Sequence, residues 1–445
     1  MNKMKFRLSD SVFYRKYGNI TVLYDTDRKK IFVFNAVAHE VIDYFKDYHS
    51  VAELADILSS RFGSDSVPYE QIGSFVDDLV SRGILHGENV LLENKNDVEA
   101  QFKHSADVQG RLLSVQIEMT FRCNEKCRHC YCVTENNREE LSFEELKHLL
   151  DDLRSMDVFE VTFTGGDLFV RKDAFEILEY ANSIGLMINV FTNGIALSDS
   201  DLIRLKSLHL KSIHFSVYCH IPEKHDYFTQ VDGSFAKTTD VIRKCVLLGI
   251  PVNIKTCVMN YNADDIEGIL ELAEKLGTTV QVSMSISAKN DGDKTPMALR
   301  VGQEELYAAV MRKVNKHVLI HCSNELNEIR SSVNSAICGA GVHSLNINPY
   351  GDVFPCNALL IKCGNVREQN IRDIWEHSVV LKEIRGFTVD KMKGCEGCSE
   401  VLYCNFCPGS ALTETGDPLQ RYDEACMLTK AKLIIKKEEN NNAEI

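Results

Sequence analysis

Apolar residues along this chain recur at two different periods, and the period changes with position. ITVLYD (20–25) and KIFVFN (30–35) are short β-type runs joined by the polar turn TDRK, which predicts a hairpin. Helical spacing follows in AVAHEVIDYFKDY, VAELADILSSRFG and YEQIGSFVDDLVSRGI, the last two stopped by Gly63 and Gly83. Two strands and three helices in so short a span predict a winged-helix-like domain over residues 1–88. The polar run that follows predicts a linker over 89–110.

From residue 113 strand and helix patterns alternate. LSVQIEM, FEVTF, MINVFTN, SIHFSVY, PVNIKTCVM and TVQVSMSI read as six strands with helices between them. Ser142 with Glu145 predicts a capping box, heading a helix whose apolar face is Leu146, Leu149, Leu150 and Leu153. Such alternation predicts an α/β fold with a parallel sheet, a partial (β/α)6 barrel over 111–320. Functional groups of such folds gather on loops at the C-terminal strand ends. Past about residue 320 the alternation fades into a loop-rich domain over 321–430. The tail KKEENNNAEI predicts disorder over 431–445.

Composition narrows the class. The 445 residues suggest about three domains. Acidic residues outnumber basic ones 64 to 50, a net charge of −14, which disfavours nucleic acid and anionic membrane as partners. The N-terminus lacks a signal-peptide core, and no run approaches the ~18 apolar residues that span a bilayer. The expectation is a cytoplasmic protein in a reducing compartment, so its sixteen cysteines read as metal ligands or buried apolar residues rather than disulfides.

Cys123, Cys127 and Cys130 are spaced C-x3-C-x2-C on the loop after the first barrel strand. Thiolates at this spacing suit zinc or an iron–sulfur cluster. Zinc completed by His129 or Cys132 is one reading. The other is a four-iron cluster with three thiolates, which leaves one iron open. The residues resemble the radical S-adenosylmethionine (SAM) superfamily, with Tyr131 following the third cysteine. GGD (165–167) stands after the second strand where that family usually carries GGE, so Asp167 is a shorter acid. The resemblance implies that Gly165, Gly166 and Asp167 meet the amino group of SAM, the glycines letting backbone approach the ligand. It also places Asn193 of TNG (192–194), Ser216 and Lys255 near the SAM methionine, ribose and carboxylate. An ordinary turn or strand role stays open for these three. The chemistry implied is reductive cleavage of SAM to a 5′-deoxyadenosyl radical, with a reduced flavodoxin or ferredoxin-type protein as electron donor.

The later cysteines follow a second pattern. Cys338-x12-Gly351-x4-Cys356 precedes Cys395-x2-Cys398-x5-Cys404-x2-Cys407 and then Cys426. This resembles the SPASM extension of radical SAM enzymes, with a gap of two rather than three before Cys407. Two zinc ribbons would explain the pairs but not the G-x4-C element. The resemblance implies two auxiliary 4Fe–4S clusters, three in all. Cys395, Cys398, Cys404 and Cys426 would hold the outer one, and Cys338, Cys356 and Cys407 the inner one. Either Cys322 or substrate would complete the inner set. Cys363 reads as a buried structural thiol.

Residues 1–88 resemble the recognition element of enzymes that modify ribosomally made, post-translationally modified peptides (RiPPs). The resemblance implies a precursor peptide whose leader adds a strand to an exposed edge, KIFVF, and packs against the third helix, whose apolar Ile72, Phe75 and Val76 read equally as groove lining or as core. A DNA-binding winged helix is opposed by Asp77, Asp78 and the net charge. HDYFTQVDGSF (225–235) and AKNDGDKTP (288–296) resemble segments of the same peptide-modifying enzymes. The expected activity is thioether formation from a cysteine sulfur to carbon. Carbon–carbon cross-linking and epimerisation are alternatives. Formylglycine formation is demoted by Asn357, where sulfatase maturases usually carry Asp. A zinc-ribbon peptide chaperone is the non-enzymatic alternative.

Overall fold

The computed structural model describes residues 5–9, 12–25, 30–62, 69–87, 110–134, 137–208, 210–302, 304–316 and 332–443. The chain divides into two compact units, Met1–Arg111 and Leu112–Ile445.

In the first unit β1 (Lys5–Leu8), β2 (Val12–Tyr17), β3 (Ile20–Asp25), β4 (Lys30–Asn35), β5 (His49–Ser50) and β6 (Leu85–Gly87) surround three helices, Ala36–Tyr44, Val51–Phe62 and Tyr69–Ser81. The expected hairpin is present as β3–β4, and β2 extends it into a three-stranded sheet of order β2-β3-β4. A second small sheet, β5-β1-β6, is additional to the sequence reading. Asn35 starts the first helix, its side chain accepting from Ala38 N at 3.2 Å. Leu23, Ile42, Phe45, Leu54, Val76 and Leu79 form the core. Ile72 and Val76, two of the expected groove residues, belong to that core, and Phe75 is half-buried. Gly63 and the linker region 88–109 lie outside the described residues.

The second unit is built on one nine-stranded sheet. Parallel strands β7 (Ser114–Glu118), β8 (Glu160–Thr164), β9 (Met187–Thr192), β10 (Ser212–Ser216), β11 (Val252–Cys257) and β12 (Thr279–Ser283) follow one another in space. This is the mixed α/β fold with a central parallel sheet that the alternation predicts. On β8 to β12 the outward residues, such as Val161, Val190, Phe215, Ile254 and Val280, are buried under helices. The Ser142–Glu145 capping box forms, and Leu146, Leu149, Leu150 and Leu153 are buried, each worth roughly 1.5–3 kcal/mol.

On the other side of β7 the sheet continues with β13 (Ser344–Ile347), parallel to β7, and then with antiparallel β14 (Asp352–Phe354) and β15 (Gly364–Asn365). The segment after 332 is therefore hydrogen-bonded into the main sheet. It also holds short helices, Ile371–His377, Val379–Arg385 and Pro408–Thr415. The terminal stretch read as a disordered tail continues a helix, Asp423–Ala443, because Ala425, Ala431 and Ile435 bury one side of it.

Candidate active site

The loop from Met119 to Val133 leaves the C-terminal end of β7 and carries the three spaced cysteines. Backbone bonds fold it tightly: Cys130 N donates to Cys127 O at 3.0 Å, and Lys126 N and Arg128 N donate to Thr229 O and Phe228 O. Burial pushes the Cys123 thiol up to about 12 and Cys127 well above its ordinary value, with the Glu125 carboxylate adding to both. Cys130 is lowered to about 7 by a hydrogen bond from Cys132. Three thiols sit close enough to feel one another's charge, and Asp167 and Glu125 add negative charge rather than relieving it. Such a donor set becomes thiolate when a cationic centre binds it, which fits an iron–sulfur cluster.

The GGD turn after β8 is locked to this loop. Gly166 N donates to Thr120 O at 2.7 Å and Asp167 N to Arg122 O at 3.0 Å. A Cβ on Gly165 would stand 2.2 Å from Thr120 O, at φ +134°, and one on Gly166 would stand 2.2 Å from Arg122 O. The glycines thus admit the cysteine loop's own backbone, a use that the sequence reading assigned to a ligand. Asp167 is fully buried. Its carboxylate accepts from Thr192 Oγ1 (2.6 Å), Asn193 N (2.8 Å) and Phe169 N (2.9 Å). That side chain ties the GGD turn to the TNG turn. Asn193 in turn donates from Nδ2 to Asn124 Oδ1 at 2.6 Å and toward Cys123 Sγ at 3.6 Å.

The later cysteines fall into two groups. Burial raises Cys356 to about 12, and the thiols that add to the effect are Cys407 and Cys338. Burial raises Cys395 to about 11, and its thiol neighbours are Cys404, Cys426 and Cys398. Cys407 N donates to the hydroxyl of Tyr422, whose ring packs on Phe406 at 5.4 Å. Cys363 is buried, its Sγ hydrogen-bonded to Ile361 O. Cys322 lies outside the described residues.

Family profiles match three parts of the chain. The radical SAM superfamily matches residues 117–273, the iron–sulfur cluster-binding domain SPASM 338–399, and coenzyme PQQ synthesis protein D (PqqD) 21–85. The chain carries a radical SAM domain followed by a SPASM domain, behind a PqqD-type domain. An AdoMet-dependent heme synthase from Methanosarcina barkeri is 27% identical over 331 residues, covering 68% of this chain and 93% of that one. A PqqA peptide cyclase from Xanthomonas campestris pv. campestris is 26% identical over 318 residues, covering 68% and 84%. Among solved structures, Streptococcus suis SuiB bound to precursor peptide SuiA superposes with TM-score 0.65 at 14% identity, covering 95% of this chain and 99% of that one.

The remaining expected residues of this radical SAM enzyme occupy the mouth of the barrel. Asn193 follows β9, and Ser216 and Lys255 are register partners on β10 and β11. Lys255 Nζ lies 4.0 Å over the Phe191 ring. Tyr131 is held by its hydroxyl, which donates to Glu118 Oε1 at 2.5 Å. The sequence reading missed Glu118. It ends β7, is 3% exposed, and also accepts from Asn346 Nδ2 of β13 at 2.9 Å. Strand alternation gave a signal, since an acid at that position faces inward. His129 packs between Tyr218 (4.7 Å) and Phe228 (5.2 Å), and burial keeps it neutral, at about 4.

The two segments that resemble those of peptide-modifying enzymes, 225–235 and 288–296, have local work. Asp226 accepts from Gly233 N, Ser234 Oγ and Phe235 N, starting the helix Ser234–Leu247. Asn290 clamps Val133 through both amide atoms, and Lys289 pairs with Asp293 at 2.7 Å. No helix among the described residues is long and apolar enough to cross a membrane.

Proposed function

We propose that this enzyme modifies a ribosomal precursor peptide, joining a cysteine sulfur to a carbon atom. The observation that carries the reading is the cysteine loop locked to the GGD and TNG turns, in a chain that also has a PqqD-type domain whose β4 edge is unpaired among the described residues. Cys123, Cys127 and Cys130 would hold a 4Fe–4S cluster, which with SAM bound would supply a carbon radical able to remove hydrogen from an unactivated C–H bond. Gly165, Gly166 and Asn193 shape the ligand side of the loop, and Ser216 and Lys255 offer a hydroxyl and a cation across the barrel mouth. Tyr218, Phe228, Met259 and Ile286 pack around Cys127 and keep water from that side. The net change in the peptide is a C–S bond formed and one C–H and one S–H bond lost: the carbon radical would take the C–H hydrogen as an atom, the thiol would release its proton, and one electron would remain to be taken up. Auxiliary 4Fe–4S clusters on Cys338, Cys356 and Cys407, and on Cys395, Cys398, Cys404 and Cys426, would receive it. Cys322 or the substrate itself would complete the inner site.

Residues 1–88 would bind the leader, 111–320 carry out the radical step and 321–430 hold the auxiliary clusters. β4 pairs only with β3 among the described residues, so its outer edge is open to a strand. Phe34, Phe75 and Arg82 stand beside it: Phe34 and Phe75 meet edge-on at 5.7 Å, and Arg82 lies 5.9 Å over Phe34. The relatives named for a PqqA peptide and for a precursor peptide support a peptide substrate.

The test is anaerobic incubation of reconstituted enzyme with SAM, dithionite and a cysteine-rich candidate precursor peptide, sought among the small reading frames beside its gene. Deoxyadenosine and a loss of two hydrogens per bridge are expected, with alkylation blocked at the bridged cysteine. A carbon–carbon bridge shows the same loss with the thiol still alkylated. Altered chirality at unchanged mass means epimerisation. Absence of deoxyadenosine with or without peptide rejects the radical SAM reading.

A further inference from the structure

Within RCNEKCRHC (122–130) the cysteines alternate with charge. Arg122, Lys126 and Arg128 are exposed, whereas Glu125, the loop's single acid, is 7% exposed. Arg122 pairs with Glu140 at 3.0 Å. Among the described residues Lys126 and Arg128 have no carboxylate partner. Arg128 is held in place: its guanidinium lies 4.0 Å over the Tyr227 ring and its Nε donates to Tyr227 O at 3.3 Å. Tyr227 is itself 58% exposed and stacks on Tyr261 at 6.1 Å. Gln230 Nε2 donates to Lys126 O, fixing the other cation's backbone. On the neighbouring helix Pro222–Thr229, Asp226 is spent on the next helix, Lys224 pairs with Asp265, and Glu223 is the remaining exposed acid.

An acidic chain therefore shows solvent two unpaired cations and an exposed aromatic ring on the outer side of the loop that carries Cys123, Cys127 and Cys130. Electron transfer weakens steeply with distance, so a protein that delivers an electron here must dock against this loop. We infer that Lys126, Arg128 and Tyr227 form the docking surface for a small acidic electron-carrier protein. Complementary charge steers the encounter and fixes the approach, while the flat aromatic ring supplies contact area. In the step served, the reduced carrier loses one electron and the centre held by the three thiolates gains it; no atom is transferred. The inference rests on the proposed reading of those cysteines.

The charge-reversal pair Lys126→Glu with Arg128→Glu tests it. A matched control, Lys206→Glu with Lys382→Glu, makes the same change in net charge at exposed positions elsewhere. The probe is an acidic flavodoxin, bound in its oxidised form to immobilised enzyme and used in its reduced form to drive deoxyadenosine release. Wild-type affinity should fall as salt rises from about 50 to about 300 mM. The loop pair should weaken binding and flavodoxin-driven turnover about tenfold and flatten the salt dependence, with dithionite-driven turnover retained. The control pair should behave as wild type. Arg128→Lys, which keeps the charge, should retain most of the affinity and guards against a misfolded loop. Unchanged flavodoxin affinity in the loop pair, or an equal loss in the control pair, overturns the docking surface. Wild type that binds flavodoxin yet releases no deoxyadenosine even with dithionite rejects the cluster reading instead.

Discussion

Asp167 and Glu118 are both buried carboxylates, and their neighbours make different demands. Asp167 satisfies a hydroxyl and two backbone N–H groups, so Asp167→Asn turns an amide N–H2 toward at least one of those donors. We expect a loss of about 1–3 kcal/mol in stability and a lower iron content, read by denaturant melts and iron assay. Gly166→Ala should fare worse, because its Cβ would meet a fixed carbonyl. Burial holds the Glu118 carboxyl above its ordinary value, despite hydrogen bonds from Tyr131 and Asn346. The folded chain thus keeps this proton where the unfolded chain has released it. The stabilisation is fully present below the ordinary carboxylate range and is lost as pH rises through the raised native value. Glu118→Gln stays neutral, so its melting temperature relative to wild type should rise from about pH 5 to about pH 8. A difference that is flat with pH would sink this. The GGD motif was legible in the sequence; what Asp167 bonds to was not, since Thr192 and Asn193 come from another turn. Glu118 was legible only as an inward acid, because Asn346 meets it from 228 residues away.

Among the elements, β4 and β7 show opposite solutions to an open edge. Among the described residues β4 leaves one side unpaired beside Phe34 and Phe75. Phe75→Ala should weaken binding of a labelled precursor about tenfold while leaving peptide-independent deoxyadenosine formation intact. Equal affinity by fluorescence polarisation would remove Phe75 from the groove. β7 is covered on both sides, by β8 and β13. A chain stopped at residue 320 would bare the β7 edge and should run as aggregate on size exclusion, unlike the full chain. The long periodic strands and helices of the barrel were readable, since each repeats its pattern over enough residues to fix a period. β1, β5 and β6 were not: they span two to four residues, and their pairing is set by packing against distant partners. The final helix was misread from its polar composition, although the inward residues Ala431 and Ile435 hold it in place.

At the scale of the molecule, three groups of cysteines predict the metal content. Reconstituted protein should carry about twelve iron per chain, and replacing Cys123, Cys127 and Cys130 together by Ala should leave about eight. About four in the wild type would remove the auxiliary assignment. Cysteine spacing made these groups legible, and the structure adds how the last two are mounted. β13 lies between Cys338 and Cys356 and hydrogen-bonds directly to β7, the strand that launches the first cysteine loop. The C-terminal half is consequently no detachable cassette. A chimera that borrows it from a relative inherits a foreign neighbour for β7, along with whatever replaces the Glu118–Asn346 clasp, so productive recombination should favour crossovers that exchange both strands together.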